Sequence, residues 1–436
     1  MKNLKNLFTL LILVLVISCS KDSDTPPTTV APVLAITAIS PTTGPKNTPV
    51  TITGTGFSTT PTNNAVTING KVCPVVNSTA TQLTVTIPPS AGSGKIKVIV
   101  AGANAESTNF EFIVTTTVTT IAGSTEGSQD GQGSAAQFRF PEGIALDSQG
   151  NLLVTDKDKI RKISSTGLVT TVAGSTNGFL DGQSILAKFN GPNGITVTAT
   201  DRIFVTDEFN HNIRLISNIG FVGVTAGSSS GIISSGFSDG FRFDVAKFDQ
   251  PAGIAIDDAG ALFIADKNNR RIRKIAGNNV TTLAGSGSFG SIDGQGNSAS
   301  FSNPTGITID APGNLYITDN SKLIRKITPT GLVTTIAGST SSGFADGQGS
   351  AAKFNFATGI AIDTQGNLFV SDKSRIRKIS PTGLVTTIAG TAISGFLDGN
   401  ATTAQFNFPN GIAIDAQGNL YISDRNNHKI RKITFD

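Results

Sequence analysis

Apolar positions along this chain come in short runs of period two, and from residue 118 onward the runs recur as a block written six times. The last copy, Val385 to Ile433, reads VTTIAGTAISGFLDGNATTAQFNFPNGIAIDAQGNLYISDRNNHKIRKI. Aligned on the glycine that opens the GIAID run, the anchors are Gly143, Gly194, Gly253, Gly306, Gly359 and Gly411, at spacings of 51, 59, 53, 53 and 52 residues. Self-similarity at about fifty residues marks an array whose units cannot bury their apolar faces alone. Each copy carries four runs, GIAID, NLYISD, KIRKI and VTTIAG, rich in Ile, Val and Thr and bounded by turn residues, which predict four antiparallel strands. Four such strands per unit make a propeller blade. The copies begin with a VTT run at Val118 and end with KIRKI, so the last blade lacks its outer strand and the first VTT run has no blade before it. Pairing of Val118 to Ala122 with the strand around Ile430 to Thr434 closes the ring and removes both open edges.

The residues also resemble the NHL repeat family of six-bladed propellers, named for an Asn-His-Leu signature. Asn210-His211 and Asn427-His428 keep its first two letters, whereas Asn269-Arg270 and Ser321-Lys322 depart from it. The resemblance covers residues 118 to 436 and implies the fold, not an activity, since one fold carries many functions.

Ahead of the repeats, residues 32 to 115 alternate in short runs such as Ala65 to Asn69, Gln82 to Ile87, Lys95 to Val100 and Asn109 to Val114. About seven strands at this spacing suggest an antiparallel sandwich. Ala35 to Phe57, AITAISPTTGPKNTPVTITGTGF, is similar to the IPT/TIG family of immunoglobulin-like domains, which implies a spacer or protein-contact module. The expected fold class is all-β: an immunoglobulin-like sandwich followed by a six-bladed propeller.

The chain starts with a different pattern. Residues 1 to 19, MKNLKNLFTLLILVLVISC, place Lys2 and Lys5 ahead of an apolar run from Leu7 to Ile17, too short to span a bilayer and typical of an export signal. Val16 to Cys19 resembles a bacterial lipobox, which implies lipidation of Cys19 and a membrane anchor. Residues 20 to 31 read as a flexible tether, and Lys21 to Asp24 looks like the signal that sends Bacteroidetes lipoproteins to the outer face of the outer membrane. Only Cys73 then remains, so no internal disulfide forms, and a thiol in VCPVV reads as a small core residue. Charge is balanced: the repeats carry 27 basic and 26 acidic side chains, which does not favour nucleic acid.

Chemistry is sparse. The chain has two histidines, His211 and His428, and no thiol in the repeats, so no zinc site can be composed. That separates it from the peptide-amidating lyase, whose NHL-like propeller holds a histidine-built zinc site. No cofactor motif occurs. Two polar series recur by blade: Asp156, Asp207, Asp266, Asp319, Asp372 and Asp424 end the second strands, and Arg161, Arg214, Arg273, Arg325, Arg377 and Arg431 lie in the third. Sixfold repetition points to buried structural ion pairs. A third series, the Asp-Gly aspartates Asp130, Asp181, Asp239, Asp293, Asp346 and Asp398, leads into segments such as Ser350 to Phe354, in which serine before two alanines reads as a helix N-cap and Phe354 as a wedge under the loop. One carboxylate per loop is thin for calcium.

The copies differ most in one connection, Gly227 to Gly253, which is about six residues longer than its equivalents. Insertions in repeat arrays tend to fall on the binding face. The loop holds Phe237, Phe241, Arg242 and Phe243, and the neighbouring turns hold His211, Arg270 and Arg271. These seven form the expected ligand site, suited to an aromatic or anionic group. The reading is a non-enzymatic, monomeric surface lipoprotein whose propeller recognises an extracellular glycan or an envelope protein. The absence of tryptophan and the presence of only Tyr316 and Tyr421 weigh against sugar. The alternatives are a carboxylate-dependent polysaccharide lyase or hydrolase, and a spacer or adhesin.

Overall fold

The structure, a computed structural model, describes residues 32–228, 234–319 and 322–435. The export signal, Cys19 and the tether lie outside these residues. Two compact units divide the chain, one ending at Ile113 and the other beginning at Val114.

The first unit is a sandwich. One sheet runs in the order Ala35–Ser40, Pro49–Thr55, Gln82–Thr86, Val75–Ser78, and the other in the order Thr43–Gly44, Ala103–Phe112, Gly94–Val100, Ala65–Ile68, Lys71–Val72. Alternate residues fill the space between them, with Val50, Ile52, Leu83, Val85, Val66, Ile68, Ile96, Val98 and Phe110 buried. Cys73 belongs to this core, and burial pushes its thiol up to about 11, the state of an inert packing residue.

The second unit is a closed ring of six sheets. Blade 1 consists of Pro141–Leu146, Leu152–Asp156, Lys159–Ile163 and Leu168–Ala173 from the axis outward, and blades 2 to 5 repeat it. In blade 6, Pro409–Ile414, Leu420–Asp424 and Lys429–Phe435 are completed by Thr116–Ala122, with Val118 opposite Ile433 and Thr117 opposite Thr434. The ring is therefore sealed by its two chain ends, as the phase of the repeats requires, and inner strands touch all the way round, blade 6 against blade 1 included.

Two features of the blades depart from the sequence expectation. Ser350 does not cap a helix but lies inside the 3-10 turn Gly349–Ala351, and the glycine of each Asp-Gly pair opens a short fifth strand on the outer edge of its blade, as Gly131–Gln132 does against Leu168 and Val169. The chain then makes a single 3-10 turn, Gly133–Ala135 in blade 1, without a side-chain cap. The connection between blades thus runs along the outer edge of the next blade before turning in to the axis. This protects the fourth strand, which would otherwise be an open edge.

The anchor glycines have a packing reason. A Cβ on Gly143 would collide with the Asn193 carbonyl of blade 2, and the same holds at each seam round to Gly411 against the Glu142 carbonyl. A hydroxyl stitches these seams: Thr155 Oγ1 accepts the Gly143 N–H at 2.8 Å and donates to the Asn193 carbonyl at 2.8 Å. Thr206, Thr318 and Ser423 accept the anchor N–H in blades 2, 4 and 6 and donate to the next blade, whereas blade 3 has Ala265 at this position.

Candidate functional site at the channel mouth

The recurrent acids and bases form one arrangement six times over. Arg161 is fully buried, its Nη1 donating to Asp156 Oδ2 at 2.7 Å and its Nη2 to Asp130 Oδ1 at 2.7 Å. The same guanidinium also donates to the Gln137 and Gln129 carbonyls and lies 5.2 Å from the Phe138 ring centre. Arg214, Arg273, Arg325, Arg377 and Arg431 likewise each bridge a buried second-strand aspartate, from Asp207 to Asp424, and an edge aspartate. These bearings hold strands together inside the blades, with every guanidinium and inner aspartate buried.

The seven residues expected to bind ligand engage four different sets of partners. Phe237 lies under Arg271 at 3.8 Å and Arg273 at 4.9 Å, an arrangement the repeats share: Phe179 meets Arg214, Phe344 meets Arg375 and Phe396 meets both Lys429 and Arg431. Phe237 and Arg271 are thus part of the blade pattern. Phe241 sits in the outer edge strand Gly240–Phe241, edge-on to Phe243, over which Arg242 stacks at 4.6 Å. Arg270 reaches Phe289 at 6.0 Å. His211 Nδ1 accepts the Gln250 N–H at 3.1 Å, just as His428 Nδ1 accepts the Phe140 N–H at 3.4 Å. The signature histidines are therefore pins between one blade and the next. Much of the loop's extra length, residues 229 to 233, lies outside the described residues.

Where the blades do differ, and face a cavity, is the mouth of the central channel. A cavity of about 620 Å³ is lined by all six blades. Its throat is uniform, built from the anchor glycines and Ile144, Ile195, Ile254, Ile307, Ile360 and Ile412. Its rim is not. A bulge in every first strand, between Pro141 and Ile144 in blade 1, turns the residue before each anchor glycine toward the channel, and these residues are Glu142, Asn193, Ala252, Thr305, Thr358 and Asn410. The turns after the second strands add Lys157, Glu208, Lys267 and Arg425.

The polar groups lock together across blades. Glu142 Oε1 receives Arg425 Nε at 2.5 Å and Oε2 receives the Asn410 amide. Glu208 Oε1 receives Lys267 Nζ at 2.9 Å and Oε2 the Asn193 amide at 2.8 Å. Burial pushes the Glu142 carboxyl above the usual carboxylate range; Arg425 and Asn410 draw it back, and the charge of Glu208 adds to the upward push.

Phe140, Phe209, Phe356 and Phe408 stand among these groups, on blades 1, 2, 5 and 6, with Phe209 and Phe356 exposed. Phe356 and Phe408 meet edge to face at 6.0 Å, and Arg425 lies 5.1 Å over Phe140. Phe140 and Phe408 have φ of 53° and 52°, in the left-handed region that Gly191 occupies at the same position of blade 2. A bulky residue held there is strained, and such strain gathers at binding sites. In blade 2 the Phe209 ring lies over that glycine and restores an aromatic group at the rim. No helix among the described residues is long and apolar enough to cross a membrane, and none of their His, Cys, Asp and Glu groups cluster in threes as a metal site.

This architecture defines a class: an immunoglobulin-like domain joined to a closed six-bladed propeller. Residues 34–114 match the IPT/TIG domain, and residues 248–275 and 406–433 match the NHL repeat, so the chain carries a TIG domain followed by NHL repeats. It is 27% identical over 342 residues to bovine NHL repeat-containing protein 2, covering 68% of this chain and 47% of that protein. It is also 26% identical over 337 residues to the Arabidopsis thaliana chloroplastic protein SUPPRESSOR OF QUENCHING 1, covering 71% and 32% respectively. The chain thus spans a third to a half of the length of these relatives. A crystal structure of an auxiliary nutrient binding protein from Bacteroides ovatus superposes with a TM-score of 0.61 and 20% identity over 94% of this chain and 99% of that one, a likeness of fold.

Proposed function

We propose that the chain is a non-enzymatic recognition protein of the cell envelope, with its ligand held at the channel mouth. The observation that carries this is the break in sixfold symmetry: throat and ion-pair bearings repeat in every blade, while the rim alone mixes glutamates, amides, cations and four phenylalanines. A purely structural ring has no need of a rim residue that changes among glutamate, asparagine, alanine and threonine from blade to blade. The name of the Bacteroides ovatus neighbour, a nutrient binding protein, agrees with this reading. The export signal and Cys19 supply the anchor, the outer membrane the location and residues 20 to 31 the tether, with the TIG domain as spacer and an extracellular glycan or envelope protein as ligand. Labelling cells with a palmitate analogue tests the anchor: wild type incorporates it and Cys19→Ala does not.

One observation favours an enzyme instead. The charge of Glu208 reaches Glu142 and helps to raise its carboxyl, and a pair of acids is what carboxylate-dependent glycoside hydrolysis uses. Each, however, is already held by a cation and an amide. Incubating the protein with soluble polysaccharides and measuring new reducing ends decides between the two: none are expected, and their appearance at a rate abolished by Glu142→Gln would make the protein a polysaccharide-cleaving enzyme.

A further inference from the structure

The charge layout of the rim narrows the ligand class, and this step rests on the channel-mouth reading above. Two carboxylates and three cations, Glu142, Glu208, Lys157, Lys267 and Arg425, share the same mouth. An anionic ligand would meet the two glutamates and a cationic one the three bases, each in a partly desolvated site where like charges repel strongly. Neither sign is well served.

A neutral ligand rich in hydroxyl groups is. Both oxygens of Glu142 and of Glu208 accept one bond from the protein, which leaves each a further lone pair for a donor, and lysine and arginine N–H groups on the same rim can meet acceptors. A hydroxyl group both donates and accepts, so a run of hydroxyls can use neighbouring acidic and basic groups at once without adding charge. The exposed Phe209 and Phe356 rings supply apolar faces beside these polar groups. Apolar C–H faces combined with a polar hydroxyl edge are the chemistry of a pyranose ring. A cavity of about 620 Å³ is of small-ligand size, which suits the end of a chain and not a folded partner.

We infer that the channel mouth binds the terminal units of a neutral oligosaccharide, hydroxyl edge toward Glu142 and Glu208 and ring faces toward the phenylalanines. Phenylalanine therefore takes the place of the tryptophan and tyrosine that the sequence lacks.

The test is calorimetric titration of the chain from Ala31 with neutral tetrasaccharides of glucose, xylose, mannose and galactose, alongside tetragalacturonate and tetraglucosamine. At least one neutral tetrasaccharide is expected to bind with a Kd below about 1 mM and at least tenfold tighter than the acidic and amino oligomers. Phe356→Ala and Phe209→Ala, both exposed at the rim and away from the ion-pair bearings, should each weaken that binding about tenfold with the melting temperature retained. Failure of all neutral sugars, or tighter binding of a charged oligomer, overturns the neutral class. If a charged oligomer binds instead and both variants weaken it, the channel mouth stands as the site and only the class is wrong. If whatever binds ignores both variants, the site itself is refuted.

Discussion

Two residues separate the costs of burial from the gains of contact. Arg377 has no exposed surface and joins Asp372 at 3.0 Å to Asp346 at 2.7 Å. Arg377→Met strands Asp372 in the blade interior, and breaking a buried pair in this way costs about 3–5 kcal/mol. Arg139, by contrast, pairs with Glu126 at 3.0 Å with both side chains about half exposed, and Arg139→Ala should lie within about 0.5 kcal/mol of wild type. Urea unfolding of the two variants measures both; equal effects would mean that the buried bearings do not hold the blades. Ala265 offers the opposite change. Where blades 1, 2 and 4 bridge their seam with a threonine hydroxyl, blade 3 has the methyl group of Ala265 at the same position. Ala265→Thr is expected to add about 1 kcal/mol by completing that relay, and a lower urea midpoint would show that the seam has no room for it.

At the scale of strands, the closing element admits a covalent test. Thr117 and Thr434 are paired partners across the seal between Thr116–Ala122 and Lys429–Phe435. Joining them as Thr117→Cys/Thr434→Cys cross-links the two ends of the ring, and because the loop closed is the whole propeller, the stabilisation should approach the upper range for a disulfide, about 5 kcal/mol. The melting temperature should rise in oxidised protein and return to wild type on reduction. No change would mean that the seal opens without limiting the stability of the ring. This closure, the four long strands and the buried Asp and Arg series are legible in the sequence because they repeat, and repetition averages out the ambiguity of any single short run. The fifth strand is not, since Gly131–Gln132 is two residues long and has no apolar alternation to announce it. The rim escapes for a related reason. Glu142, Asn193 and Asn410 sit one residue before an anchor glycine, and only the bulge turns them inward. The signal in the sequence is disagreement among the copies at that position and after the second-strand aspartate, where Glu208 and Arg425 depart from Lys157, Lys267 and Lys373. The long connection Gly227 to Gly253, by contrast, places Phe241 on the outer edge of blade 3.

For the whole molecule, the same charge arithmetic repeated six times sets the response to pH. Each bearing offers one guanidinium to two carboxylates, so one carboxylate is under-compensated, and burial decides which. Among the partly wet edge aspartates, burial raises Asp130 but the Thr171 backbone N–H and Arg161 outweigh it, and Asp293 and Asp346 are held low in the same way. The inner aspartates are dry, and burial lifts Asp156 and Asp266 to about 6 against the pull of their arginines. The two sets act with opposite sign. A carboxyl held low in the fold binds fewer protons than in the unfolded chain, so its stabilisation is present above the ordinary carboxylate pKa and fades as pH falls below about 4. A carboxyl lifted to about 6 binds more protons than when unfolded, so its contribution is complete below about 4 and is lost as pH climbs to 6. Burial also holds His211 and His428 below the usual imidazole range, which adds a smaller rise toward pH 6.5. The melting temperature should therefore climb from pH 3 to a maximum near pH 4 to 5 and decline toward 6, unlike a protein stabilised by exposed pairs, and Asp156→Asn with Asp266→Asn should make the decline shallower, not abolish it, since burial also raises Asp207, Asp372 and Asp424, while leaving the acid limb. A melting temperature that rises steadily to neutral pH in the wild type would mean that the six buried guanidiniums hold both of their carboxylates ionised.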